Sequence, residues 1–220
     1  MLDPNGHPVV ASLLDLMMAP LHPVRRRVIR HARGRVLEIG IGTAANLRLL
    51  PEDAPISELV GIEPDPHMRR RAQNRIDRLR PPFPVTLLDA DAAALPFEDG
   101  SFDTILATFV LCTIPDPAAA AHEMHRALAH DGQLLWAEHT AAAGTTMRGL
   151  QKRLTPCWRQ MAGGCHLDRD SVSLLQEAGF ALSVHSRPRH PHHPLPVHYG
   201  TGSPAKTPTG QDTPVPPSPQ

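Results

Sequence analysis

A short apolar segment that runs into two closely spaced glycines constrains this chain more than any other feature. Residues 36–39 are Val, Leu, Glu and Ile, which predict a buried strand that stops at Gly40. Gly40 and Gly42 allow the backbone to turn sharply and let a ligand approach it closely. A helix is predicted to follow, with Thr43 as its N-cap and Asn46 in its first turn. Such a turn presents free backbone N–H groups to a polar or anionic ligand.

An acidic residue follows the next predicted strand. Residues 58–62 predict a strand that ends at Glu63, about 20 residues beyond the glycines, where a nucleotide ribose is commonly held through its hydroxyls. The sequence therefore predicts a site for a nucleoside cofactor. Because Gly40, Gly42 and Ala45 also satisfy the dinucleotide fingerprint, this motif alone leaves open whether the cofactor is a dinucleotide.

Predicted strands and helices alternate along the middle of the chain. Residues 85–88 predict a third strand, residues 104–110 a fourth and residues 133–137 a fifth. This alternation indicates an α/β fold with a parallel sheet, right-handed crossovers and a ligand at the carboxyl ends of the strands. Asp89 and Asp91 follow the third strand, and an acid at that position can accept a hydrogen bond from an adenine amino group.

The two ends of the chain differ from this regular middle. Residues 1–33 predict two helices, which we interpret as a cap packed on the sheet with its arginines in water; a lid over the ligand pocket and a weak peripheral membrane contact are the alternatives. Residues 34–199 are assigned to the cofactor-binding domain, with a sixth strand at 180–184 and an edge strand at 195–199. Residues 200–220 are rich in Pro, Gly, Thr and Ser and predict a disordered tail.

Four motifs in chain order carry a resemblance to a known family. They are VLEIGIGT at 36–43, VGIEP at 60–64, the segment 91–103, and Asp131-Gly132 before the fifth strand. With them the chain resembles a class I S-adenosylmethionine-dependent methyltransferase of the type 11 kind, over about residues 34–180. The resemblance implies a Rossmann-like, doubly wound, mostly parallel seven-stranded sheet. It also implies S-adenosyl-L-methionine as the cofactor and methyl transfer to a small-molecule acceptor.

Shorter strings resemble a narrower branch of that family. Glu138-His139 and residues 164–170 are similar to methyltransferase-like proteins that methylate small thiols, and to related lipid and quinone enzymes. The acceptor is therefore expected to be a thiol, a quinol or a lipid-like molecule. Ala44 and Gln133 stand where the family has glycines, which keeps open a non-catalytic, regulatory cofactor-binding domain. An NAD-dependent oxidoreductase is less favoured because little length is left for a substrate domain.

The resemblance also assigns cofactor contacts by position. Glu38 would support the glycine loop and the cofactor's ammonium group, Glu63 would accept from both ribose hydroxyls, and Asp91 would bind the adenine amino group. The backbone of Ala92 would contribute beside Asp91. The full set of implied cofactor residues is Glu38, Gly40, Gly42, Asn46, Glu63, Pro64, Asp91, Ala92, Thr108 and Phe109.

Catalysis is expected to depend mainly on alignment, because methyl transfer from a sulfonium is an in-line displacement with a good leaving group. His139 is the candidate base, since it follows the fifth strand on the ligand side and a neutral histidine could take a proton from a thiol. A packing or hydrogen-bonding role is the alternative for His139 and for Glu138. Cys157, Cys165 and His166 form no paired motif, so no metal is predicted.

Charge and cysteine content limit the classes of partner and the cellular compartment that we expect for this chain. The 22 Lys and Arg residues balance 22 Asp and Glu residues, so no net field attracts nucleic acid or an acidic membrane. The three cysteines lack framework spacing, which fits a reducing cytoplasm, and no apolar segment approaches the ~20 residues of a membrane span. We expect a cytoplasmic monomer or homodimer that takes a small-molecule acceptor, with no nucleic-acid partner and no integral membrane segment.

Overall fold

A computed structural model describes residues 16, 18–142, 144–161, 164–187 and 196–205. In these residues one seven-stranded sheet carries helices on both faces. The strands are β1 (Gly34–Ile39), β2 (Ile56–Ile62), β3 (Val85–Leu88), β4 (Phe102–Thr108), β5 (Leu128–His139), β6 (Phe180–Arg187) and β7 (Val197–Pro204). The helices are α1 (His22–Ile29), α2 (Pro66–Leu79), α3 (Pro117–Ala127), α4 (Thr145–Met161) and α5 (Ser171–Glu177), and short 3₁₀ helices lie at Ala19–Leu21 and Ala45–Arg48.

The strand order places a ligand site near the middle of the sheet. The order is β3-β2-β1-β4-β5-β7-β6, with β1 to β5 parallel and β7 antiparallel to both of its neighbours. The direction of winding reverses between β1 and β4, and ligands of doubly wound sheets bind at the carboxyl ends of the strands beside such a switch. The predicted Rossmann-like, doubly wound and mostly parallel seven-stranded α/β fold is confirmed.

Each face of the sheet has its own apolar cluster. One cluster joins α3 and α5 to the sheet and contains the fully buried Met124 and Trp136. The other joins α1 and α2 to the opposite face and contains Val28, Ala72 and Leu135. Successive strand residues point to opposite faces, so Leu135 and Trp136 fall in different clusters. The central strands are therefore buried on both sides, as parallel strands normally are.

The helix α1 packs on the sheet, but one of its arginines is not in water. Val24, Val28 and Ile29 are buried in the second cluster, whereas Arg25 is buried at the ligand edge and Arg27 donates to the Tyr199 hydroxyl over 2.9 Å. The prediction that the arginines of this segment lie in water is therefore wrong for Arg25. The helix predicted over residues 9–18 lies almost wholly outside the described residues.

The strand β7 corrects two predictions for the C-terminal segment. Residues 200–204 were predicted to be disordered, yet they belong to β7; residues 206–220 lie outside the described part. Nor is β7 an edge strand, because it pairs with both β5 and β6. A Cβ on Gly200 would lie 1.7 Å from the carbonyl oxygen of Ser183, so glycine here permits close strand approach. Few apolar side chains are needed where backbone pairing on both sides holds the strand. The strand continues beyond residue 199, where the predicted domain of residues 34–199 ends.

Two local predictions about helices are also wrong. Thr43 does not cap a regular helix: Ala44 is left-handed at φ +57°, and only the 3₁₀ helix Ala45–Arg48 follows. The Thr43 hydroxyl instead accepts from Arg75 over 3.0 Å, which ties the glycine loop to α2. Further along, α4 continues through Pro156, where an interruption was predicted.

Candidate active site

The glycine loop after β1 is shaped by two left-handed glycines. Gly40 has φ +58° and Gly42 has φ +59°. A Cβ on Gly40 would lie 2.3 Å from Cγ2 of Val110, so the loops after β1 and β4 touch at a point where a side chain has no room. The backbone N–H of Gly42 donates to Glu63 Oε2 over 3.0 Å, which connects the loop to the end of β2.

Asn46 joins three elements beneath this loop. Its Nδ2 donates to Glu38 Oε1 over 2.8 Å and to Thr108 Oγ1 over 3.0 Å. Its Oδ1 accepts from Arg25 over 3.2 Å. All four residues are buried, so the ends of β1 and β4, the 3₁₀ helix and α1 share one polar network.

Glu38 carries a feature that indicates a cationic ligand. Burial raises the pKa of its carboxyl to about 7, even though the nearby Arg25 and the hydrogen bond from Asn46 act in the opposite direction. Its second oxygen, Oε2, is buried and has no hydrogen-bond partner in the described part of the chain. A buried carboxylate oxygen without a partner is costly, and an ammonium group of a bound ligand would satisfy it. Glu38 therefore fits the role that the resemblance assigns to it.

Glu63 is held in place by backbone donors. Its Oε2 accepts from Gly42, its Oε1 accepts from the backbone N–H of Asp65 over 3.0 Å, and its own N–H donates to the Leu88 carbonyl at the end of β3. Burial raises the pKa of its carboxyl, while these hydrogen bonds lower it. Each carboxylate oxygen can accept a second hydrogen bond. The side chain can thus bind two vicinal hydroxyls without losing its backbone contacts.

The other predicted residues near the adenine position differ in exposure. Asp91 is exposed after β3 and its Oδ1 accepts from the Ala93 N–H over 2.9 Å, while Ala92 is buried in the first cluster and Pro64 is exposed. Because β2 and β3 are parallel, with Ile62 opposite Leu88, their carboxyl ends meet at one edge. The structure thus brings the segments that carry Glu63 and Asp91 to neighbouring positions.

Phe109 follows the end of β4 in a strained backbone conformation. It has φ +56°, and its N–H donates to the Ala137 carbonyl over 2.7 Å. Its ring faces the guanidinium of Arg25, whose Cζ lies 5.3 Å from the ring centroid. A left-handed phenylalanine costs on the order of 1–3 kcal/mol, and such strain is concentrated at ligand sites.

Glu138 binds the backbone of the loop after β4. It is fully buried, and its Oε1 accepts from the backbone N–H groups of Val110 and Leu111 over 2.7 and 2.9 Å. Burial raises the pKa of this carboxyl to about 7. With one oxygen engaged by two backbone donors, the arrangement favours a positioning role for Glu138.

His139 lies in a cluster that the sequence did not indicate as a unit. Its Nε2 lies 3.2 Å from Cys165 Sγ and 3.3 Å from the His166 carbonyl oxygen, and Cys112 completes the cluster. The hydrogen bond between the two cysteines raises the pKa of Cys112; the same bond lowers the pKa of Cys165, and His139 adds to that effect. The structure therefore groups Cys165 with Cys112 and His139, while Cys157 is exposed on α4.

The sequence reasoning missed Arg25 and Cys112. Arg25 was read as part of a solvated basic run, and only the packing of α1 shows that it reaches the site. Cys112 had no motif around it, so nothing in the sequence could have paired it with a histidine and a cysteine far along the chain. Cys165 did stand in a string that resembles the narrower branch.

Comparison with known proteins decides the family. Residues 37–136 match the family model described as a methyltransferase domain. The human thiol S-methyltransferase TMT1B is 32% identical over 212 residues, which cover 86% of this chain and 84% of that relative. The chain belongs to the class I S-adenosylmethionine-dependent methyltransferases. The predicted family and its cofactor, S-adenosyl-L-methionine, are confirmed, and an NAD-dependent oxidoreductase is not supported.

Two further comparisons concern a second relative and the fold. Human thiol S-methyltransferase TMT1A is 30% identical over 148 residues, which cover 66% of this chain and 59% of that relative, so the match spans less than two thirds of its length. The crystal structure of YcgJ from Bacillus subtilis superposes with a TM-score of 0.68 at 16% identity, over 86% of this chain and 99% of that one, and shows the same fold. In the described part of this methyltransferase, no helix has the length and apolar character of a membrane span.

Proposed function

We propose that this chain transfers the methyl group of S-adenosyl-L-methionine to a small-molecule acceptor, and that the acceptor is a small thiol. The observation that carries the proposal is the buried Oε2 of Glu38 beside the glycine loop, which has no hydrogen-bond partner among the residues that the structure describes. An ammonium group would donate a hydrogen bond to this oxygen, and Glu63 at the end of the neighbouring strand is positioned to accept hydrogen bonds from a ribose. Together they fit a ligand that has both groups.

The bound cofactor supplies an electrophilic methyl group on a sulfonium sulfur. The chain's own residues bind and orient it: Glu38 at the amino-acid end, Glu63 at the sugar and Asp91 at the base, with the backbone of Ala92 beside it. Thr108 and Phe109 line the site after β4, and Gly40 leaves room for close approach to the backbone. Such alignment can lower a displacement barrier by ~7–11 kcal/mol.

The thiol acceptor is inferred from the relatives and from the site. Both human relatives described above are named thiol S-methyltransferases. In this chain a cysteine–histidine cluster lies at the carboxyl ends of β4 and β5, on the edge that bears the cofactor residues. His139 was the predicted base, but its Nε2 contacts Cys165 and the His166 carbonyl. We therefore assign the activation of the acceptor thiol to the cluster as a whole and not to His139 alone.

Calorimetry and a turnover assay on the full chain test the proposal. S-adenosylhomocysteine should bind with one site per chain while NAD does not. Methyl transfer from labelled S-adenosylmethionine should then appear with small alkyl thiols, and not with quinol precursors or phospholipid vesicles. Binding of NAD alone would refute the cofactor assignment; methylation of only the quinols or lipids would refute the acceptor assignment. Cofactor binding without any turnover would favour the regulatory alternative.

A further inference from the structure

Three side chains with metal-binding atoms converge beside the carboxyl ends of β4 and β5. Cys112 lies in the loop after β4, His139 at the end of β5 and Cys165 shortly before α5. All three are buried, and their ligand atoms lie within 4.8 Å of one another. Cys165 Sγ and His139 Nε2 are 3.2 Å apart.

These distances are compatible with a shared tetrahedral ion. Zinc binds thiolate sulfur at about 2.3 Å and imidazole nitrogen at about 2.0 Å, which puts ligand atoms roughly 3.5–3.8 Å apart around the ion. Only small side-chain movements separate the cluster from that arrangement. Two sulfurs and one nitrogen are soft or borderline donors, so they select Zn²⁺ over Mg²⁺ or Ca²⁺.

The backbone around the three ligands is fixed by its own hydrogen bonds. The His166 N–H donates to the Cys112 carbonyl over 2.8 Å, which ties the segment of Cys165 to the loop after β4. Arg169 donates to the Ile114 carbonyl over 2.7 Å, and Glu138 accepts from Leu111, beside Cys112. A ligand set held by such supporting contacts is already organised before a metal arrives.

We propose that Cys112, His139 and Cys165 bind one Zn²⁺ ion, and that the acceptor thiol takes its fourth coordination position. The second half of this proposal rests on the proposed thiol methyltransferase function. Three protein ligands with a fourth position for water or substrate are the pattern of catalytic zinc sites, whereas structural sites use four. The sequence predicted no metal, because Cys157, Cys165 and His166 form no paired motif, and Cys112 and His139 lie far from Cys165 in the chain.

The chemistry balances without any further reactant. The acceptor thiol loses its proton to solvent on binding the ion, and the resulting thiolate sulfur keeps the electron pair. That pair forms the new sulfur–carbon bond as the bond from the methyl carbon to the sulfonium sulfur breaks. The leaving sulfur takes the bonding electrons and becomes a neutral thioether. The methylated product is also a neutral thioether and a poorer ligand, so it can leave the ion.

Cobalt binding tests the metal site without reference to turnover. Full-length protein, reduced and stripped with EDTA, should bind one equivalent of Co²⁺ with a thiolate-to-cobalt charge-transfer band, and one equivalent of Zn²⁺ should remove that band. Cys112→Ser and Cys165→Ser should weaken binding at least about 100-fold, since residues that merely orient a metal ligand are already worth 10–100-fold. Cys157→Ser is the matched control and should bind as the wild type does, because Cys157 is exposed and outside the cluster.

The outcomes separate this proposal from the one on which it rests. Protein that binds S-adenosylhomocysteine but shows no charge-transfer band overturns the metal site and leaves the cofactor site standing. Formation of a Cys112–Cys165 disulfide that persists under reducing conditions and excludes Co²⁺ also overturns it. If EDTA treatment abolishes thiol methylation and Zn²⁺ restores it while S-adenosylhomocysteine binding is unchanged, the open coordination position is supported. Metal binding with turnover that does not depend on Zn²⁺ refutes that second half.

Discussion

The side-chain amide of Asn46 donates a 2.8 Å hydrogen bond to Glu38, and this contact holds the buried carboxylate at the end of β1. The same amide group reaches Thr108 at the end of β4, and its oxygen accepts from Arg25 on α1. One residue therefore links the ends of the two paired strands between which the winding of the sheet reverses.

Asn46→Ala should weaken both folding and cofactor binding. The substitution leaves Glu38, Thr108 and Arg25 with fewer buried partners, and each unsatisfied buried group costs about 1–3 kcal/mol. We expect a loss of that order in the free energy of unfolding, measured by urea denaturation, and at least about tenfold weaker S-adenosylhomocysteine binding by calorimetry. Asn74→Ala is the control, because Asn74 is exposed on α2. Equal effects of the two substitutions would contradict the role of the network.

Glu38 should make the stability of the cofactor-free protein depend on pH. Its pKa rises from 4.5 to about 7 on folding, so between these values the folded state holds more protons than the unfolded state. The free energy of unfolding should therefore fall as pH rises from about 4.5 to 7 and level off above, by at most about 3 kcal/mol from this group.

Glu38→Gln removes the ionisation while it keeps an oxygen for Asn46. The wild type should therefore lose unfolding free energy relative to Glu38→Gln as pH rises from 5 to 8. Urea denaturation of both proteins at pH 5 and at pH 8 measures this difference. A difference that does not change with pH would show that Glu38 is ionised with an ordinary pKa.

Glu63→Ala should raise the KM for S-adenosylmethionine by about 10- to 100-fold. The variant loses the proposed contacts to two hydroxyls and also the acceptor for the Gly42 and Asp65 N–H groups. Hydrogen bonds to a charged group are worth about 1.5–3 kcal/mol each, so this range is conservative. Glu58→Ala is the matched control: Glu58 lies on the same strand but pairs with Arg35 away from the carboxyl end. An unchanged KM for Glu63→Ala would exclude the ribose role.

Gly40→Ala and Gly149→Ala should have opposite effects on stability. At Gly40 the new methyl would clash with Val110 and the backbone has φ +58°, so we expect a loss of at least about 2 kcal/mol and of cofactor binding. Gly149 lies within α4 with open space around it, where alanine should stabilise the helix by about 0.5–1 kcal/mol. Thermal and urea unfolding of both variants measures the contrast, and a neutral Gly40→Ala would show that the two loops are not packed as described.

Local sequence patterns were sufficient where a feature depends on a few neighbouring residues. The apolar segments predicted the central strands, and Gly40 and Gly42 predicted the turn after β1, because backbone sterics act between adjacent residues. The position of Glu63 after β2 followed from the regular βαβ spacing. The conformation of Ala44 did not: a left-handed alanine is held by the packing around it, and its own preference is helical.

The sequence by itself determined the doubly wound sheet, the carboxylates at the ends of the sheet's strands, and the family. Each of these can be recognised from the hydrophobic periodicity or from a short motif. Only the tertiary structure decided that residues 200–204 form the end of a strand inside the sheet, because pairing with β5 and β6 replaces the apolar side chains that a sequence pattern would need. It also decided that Arg25 enters the site and that Cys112, His139 and Cys165 meet. Those contacts join residues far apart in the chain: parallel strands deliver the residues that follow β4 and end β5 to one edge, and the packing of α1 and of the segment before α5 brings Arg25 and Cys165 there.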